Sequence, residues 1–176
     1  FSIYIGTLPF IFISFMPVFL LFFIIRFYKP SAVFRKELIV LLFVIPAITT
    51  LFSAIPSLNW LIRTNYSSIS VSPLHAFDFT WNIWFYIHYV YSYLLMLFSV
   101  AYTLFNHKKQ PNGYKFTSKL IVLAIMFIIF LNQINLALPF SGIDYTLIGI
   151  CFALLIFYIA IINKPSSVYL NVARDT

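Results

Sequence analysis

His88 is the side chain in this sequence best placed to do chemistry inside an apolar segment, and its neighbours limit what that chemistry can be. Trp84, His88, Tyr91, Ser92, Leu95 and Ser99 recur every three to four residues, so on a helix an imidazole, a phenol and two hydroxyls share one stripe. Such a stripe within lipid has to face protein or water. Thr49, Thr50 and Ser53 in an earlier apolar run, and Asn132, Gln133 and Asn135 in a later one, extend the same kind of chemistry. All of these are hydrogen-bonding groups. The sequence contains no acidic pair, no His and Glu spacing for zinc, no glycine-rich phosphate loop and no nucleophile beside a base. The lysines lie at the ends of apolar runs or between them, which argues against a Schiff base in mid-helix. The expectation is a binding or interaction module without catalytic residues, cofactor or metal.

The composition sets the medium. Of 176 residues, 62% are hydrophobic and only 9% charged, and the mean hydropathy is +0.99, far from a soluble globular chain. The predicted class is an all-α polytopic transmembrane bundle with the lipid bilayer as its principal partner. A net charge of +7 would raise nucleic acid as a partner for a soluble protein. Here the cations sit in short connections, where they report orientation, and no nucleic-acid partner is expected. Cys151 stands alone in an apolar run, so neither a disulfide framework nor a cysteine metal site is available. The chain starts with Phe and shows no cleavable signal, so we read it as a piece of a longer protein.

Five apolar runs can each cross a bilayer, which takes about 20 residues. They cover about residues 3–28, 37–56, 81–105, 116–138 and 145–163, within a single domain of 1–176. Pro17 and Pro46 fall inside the first two, where each removes a backbone hydrogen bond and bends the helix. Residues 57–80 form one long outer loop, expected to fold over the helix ends. Residues 164–176 form a polar exit segment. Gly149 and Ala153, at small-xxx-small spacing, let a neighbour approach the fifth helix closely.

Lys and Arg gather on one side. The connections after the first, third and fifth runs, with their flanks, hold Arg26, Lys29, Arg35, Lys36, Lys108, Lys109, Lys115, Lys119, Lys164 and Arg174, whereas Arg63 stands alone on the other side. The positive-inside rule therefore predicts an outside N-terminus and a cytoplasmic C-terminus. With that topology Thr49, Ser53, His88, Ser92, Asn132 and Asn135 share the outer third of the membrane. At the usual helical rise, His88 lies about 10 Å below Trp81 and Asn132 about 9 Å from the end of its helix. Two readings stand side by side. One is a ligand pocket open to the outside, lined by Thr49, Ser53, Trp84, His88, Tyr91, Ser92, Asn132 and Asn135. The other is helix-to-helix hydrogen bonding, worth about 0.6 to 2 kcal/mol per contact.

The run WFYIHYVYSYLL from Trp84, a basic turn, an apolar helix ending in Asn132, the turn PFSGIDYT, a last helix and the ending SSVYLNVARDT together resemble a known family. It is the N-terminal seven-transmembrane sensor region of bacterial histidine kinases and diguanylate cyclases. Trp84, His88, Tyr91, Ser92, Tyr93 and Asn132 carry the aromatic, histidine and amide part of the likeness. Val172, Ala173, Arg174 and Asp175 match the family's exit towards its output domains, with Asn171 in place of the usual proline. Tyr4, Gly6, Pro17 and Pro46 liken the first two runs to the family's third and fourth spans, so the expectation is either a piece that begins after the family's first two spans or a five-helix variant. The resemblance implies a multi-pass sensory input domain in the bacterial inner membrane. It would detect an extracellular or membrane-borne small molecule and pass the signal through the last helix to a cytoplasmic kinase or cyclase, with homodimerisation through the output domains. A fragment of a transporter or permease is the alternative, as is a purely structural anchor.

Overall fold

The computed structural model describes residues 2–71, 74–108, 110, 112–137 and 145–162. Among these, five α-helices account for most of the chain: α1 (Ser2–Tyr28), α2 (Lys36–Ala54), α3 (Ile83–His107), α4 (Asn112–Ala137) and α5 (Tyr145–Ile162). Three are long and apolar enough to cross a membrane, over Lys36–Ala54, Ile83–His107 and Lys115–Ala137. Phe12–Tyr28, within α1, and Tyr145–Ala160, within α5, are further apolar helical stretches. The helix ends differ from the predicted runs by a few residues, most at α4, which begins at Asn112 inside the predicted basic turn. Hydropathy marks where side chains enter lipid, and a helix can continue past that boundary into water.

The connection expected at 57–80 carries secondary structure of its own. Instead of a loop, the chain makes a 3-10 turn, Pro56–Leu61, and then an antiparallel hairpin of β1 (Arg63–Val71) and β2 (Leu74–Trp81). Val71 pairs with Leu74 and Arg63 with Trp81. Between Thr64 and Ser67 the register shifts by one residue, a bulge that bends the first strand. The strands were legible: Ile69 and Val71 alternate with serines, and His75, Phe77, Phe79 and Trp81 alternate with Ala76, Asp78 and Thr80, the period-two pattern of a strand.

The chain divides into two compact units, Phe1–Ser99 and Val100–Thr176. In the first, α1 and α2 form an antiparallel pair. Their connection is short because Pro30 stops α1, and Arg26 folds back so that its guanidinium lies 5.6 Å from the Phe34 ring centre, while Phe34 packs against Phe22 at 4.7 Å. Val18 and Leu21 of α1 and Leu95 of α3 form a buried cluster, enclosed by Phe22, Ile25, Leu42, Phe43 and Tyr91.

Helix α2 ends where Pro56 requires it to. The residue before a proline is pushed out of the helical region, and Ile55 is extended at φ −94° and ψ 112°. Asn82 then starts α3. Its Oδ1 accepts from the Ile83 amide at 2.7 Å, its carbonyl from Phe85 at 3.0 Å, and its side-chain amide donates to the Trp60 carbonyl at 2.9 Å. One asparagine thus caps a helix and pins it to the 3-10 turn. We expect Asn82→Ala to cost about 1 to 2 kcal/mol, read as a lower melting temperature of the chain in nanodiscs.

In the second unit α4 and α5 pack closely as the small residues anticipated. A Cβ on Gly149 would meet Leu131 Cδ1 at 3.3 Å and the Ile128 Cα at 3.5 Å. Ala153 and Ala160 on α5 and Ile121, Ala124 and Ile125 on α4 are buried, and Phe127 meets Phe152 at 5.4 Å.

Candidate functional site

Thr49 lies one turn after Pro46 on α2 and is fully buried. Its Oγ1 donates to the Ile45 carbonyl at 2.8 Å, as threonine hydroxyls commonly do within a helix. From α3, Trp84 Nε1 donates to the same oxygen at 3.0 Å, and His88 Nδ1 stands 3.1 Å from it. On the far side of the imidazole, Ser92 Oγ lies 3.2 Å from Nε2. His88 and Ser92 are each only 8% exposed.

Counting protons fixes the direction of these bonds. A hydroxyl has one proton and two lone pairs. The proton of Thr49 is committed to Ile45, so the oxygen must accept from both Trp84 and His88. His88 therefore carries its proton on Nδ1. In the neutral ring Nε2 is then an acceptor, and Ser92 donates to it. Thr49 has no lone pair left and the neutral imidazole has a partner on each side. One threonine oxygen joins α2 to α3, with the Trp84 ring held edge-on to Phe52 at 5.0 Å.

The other candidate residues divide between places. Ser53, one turn beyond Thr49 on the same face of α2, is buried, and its Oγ has no hydrogen-bond partner among the described residues. Tyr91 turns away from the cluster: its hydroxyl donates to the Leu42 carbonyl of α2 at 2.5 Å, and its ring centre is 6.4 Å from that of His88. Ser14 of α1 reaches Thr50 at 3.3 Å, tying α1 to the other side of α2. In the second unit Asn132 Nδ2 donates to Thr146 Oγ1 at 3.0 Å and so braces α4 against α5. Asn135 lies half-buried on α4. Val172, Ala173, Arg174 and Asp175 lie outside the described residues.

Two positioning groups were not singled out from the sequence. Asn82 is an asparagine directly before an aromatic helix start, a recognisable cap. The Leu42 carbonyl could have been found from Pro46, since a proline leaves the carbonyl four residues earlier without its amide.

This arrangement has no reactive pair. It recognises position, because its bonds exist only when α2 and α3 hold one register. Searches of curated proteins and of solved structures return no match. Over residues 1–165, the chain matches the family model described as the N-terminal 7TM region of histidine kinase. With nearly the whole chain matched, the protein belongs to that family.

Proposed function

We propose that this chain is the membrane-embedded sensory input region of a signalling enzyme. A signal arriving from outside or through the membrane changes the packing of α2 on α3, and the change reaches a cytoplasmic histidine kinase or diguanylate cyclase domain through α5 and the exit segment. The observation that carries the reading is the single Thr49 oxygen shared by Ile45, Trp84 and His88, in a chain of this family. A ligand shifts an equilibrium between two packings only by its differential affinity for them. A group competing for Thr49, His88 or Ser92 would have such a preference, because it would replace bonds made in only one packing.

In this reading all five helices cross the bacterial inner membrane. The N-terminus is outside and the C-terminus in the cytoplasm, which suits the one-sided placement of Lys and Arg. The chain itself contributes no catalytic residue, and dimerisation lies with the output domains. The test is His88→Ala in the full-length protein. Membrane insertion should be kept and the dependence of output activity on stimulus lost. An output that still follows every candidate stimulus would remove His88 from the mechanism.

A further inference from the structure

The Leu42 carbonyl is the one that Pro46 leaves without its usual amide, since in an α-helix each carbonyl accepts from the residue four positions on and proline has no N–H. Its partner comes from another helix: the Tyr91 hydroxyl of α3 fills the place of the missing amide. A second proline stands opposite. The Ser14–Thr50 bond and the contact of Phe19 with Phe43 at 5.6 Å fix the antiparallel register of α1 and α2. That register puts Pro17 at the level of Pro46, and both prolines are buried. Two adjacent helices are thus weakened at one level.

The two sides of this level are held differently. On the C-terminal side of Pro46, α2 is tied to its neighbours by hydroxyl bonds from Thr49 and Thr50. On the N-terminal side the Tyr91 bond to the Leu42 carbonyl is the one directional tie described, and the rest is apolar packing of Leu42 and Phe43 with Val18, Leu21, Phe22 and Leu95. Directional bonds break with a small displacement, whereas apolar packing tolerates one. Tyr91 is also one turn along α3 from His88, so a shift of α3 that separates His88 from Thr49 would withdraw the tyrosine as well.

We propose that Tyr91 is a detachable lock on a hinge formed by Pro46 and Pro17: while its hydroxyl occupies the Leu42 carbonyl the bend of α2 is fixed, and when α3 moves the bend is released. The role of Tyr91 is positioning, through the backbone of α2. The lock does not depend on a ligand at His88, since Pro46 leaves the Leu42 carbonyl without an amide whatever His88 binds.

The experiment measures the bend of α2 by pulsed electron paramagnetic resonance on the chain in lipid nanodiscs. Spin labels go at Leu38→Cys and Leu51→Cys, both exposed and on opposite sides of Pro46, in a Cys151→Ser background because Cys151 is an exposed free thiol. The labelled positions lie about 20 Å apart along a straight helix. The parent should give one narrow distance distribution. Tyr91→Phe, which keeps the ring and removes only the hydroxyl, should broaden it and move it to a different mean. In a Pro46→Ala background, where residue 46 again donates to Leu42, Tyr91→Phe should change nothing. An unaltered distribution on Tyr91→Phe, or an equal change in both backgrounds, would overturn the lock and leave Tyr91 as packing. Should Tyr91→Phe fail to fold, recovery by Pro46→Ala supports the proposal and failure of both variants overturns it.

Discussion

Thr49→Val is expected to destabilise the first unit more than any other single change there, by about 2 to 4 kcal/mol, because each buried donor left without an acceptor costs about 1 to 3 kcal/mol. Valine fills the same volume but has no oxygen, so Trp84 Nε1–H and His88 Nδ1–H lose their common acceptor together. Thr49→Ser keeps the oxygen and should be much milder. Ser92→Ala removes one donor and leaves a bare lone pair on Nε2, so it should cost less than Thr49→Val. The check is denaturant unfolding in mixed micelles followed by tryptophan emission. Equal stability of the serine and valine variants would show that the hydroxyl is not what joins the helices.

Gly149→Leu should have the largest effect in the second unit. A Cβ at this position already stands 3.3 to 3.5 Å from Leu131 and the Ile128 backbone, so alanine requires Leu131 to give by a few tenths of an ångström. Leucine adds three further carbons with backbone on one side, where forcing extra volume into a packed contact costs about 1 to 3 kcal/mol or more. To relieve that overlap α5 must move off α4, which also pulls Thr146 away from Asn132. We expect Gly149→Ala to be close to wild type and Gly149→Leu to lose protease resistance in the α4–α5 region. Limited proteolysis in nanodiscs separates these outcomes, and similar resistance of both variants would refute the close approach.

Much of this was open to reading along the chain. Apolar runs give the helices because lipid leaves a spanning backbone little choice of structure. His88 and Ser92, four residues apart, were placed on one face by helical period alone, and Gly149 and Ala153 identified the tight helix contact by size. Between helices the reading was poorer, since periodicity says which face a residue occupies and not which partner it meets. Tyr91 shows this: it shares a stripe with His88 yet serves a carbonyl created by a proline 45 residues earlier. The pocket expectation grouped Thr49, His88 and Asn132 by depth, and depth does not say that Asn132 donates to Thr146 within the second unit. The hairpin was passed over because its serines and Asn65 resemble loop composition, although the apolar residues among them alternate as in strands.

Asn82 alone separates the last strand residue, Trp81, from the first helical residue, Ile83. Across that junction Trp81 stacks on Phe85 at 3.8 Å with the rings 16° apart, and Arg63 of the opposite strand lies 5.3 Å over the Trp81 ring. There is no slack in such a joint. A torque applied to the hairpin by anything that grips it would turn α3 with it, and His88 sits only five residues beyond Ile83, about 7 to 8 Å along the helix axis.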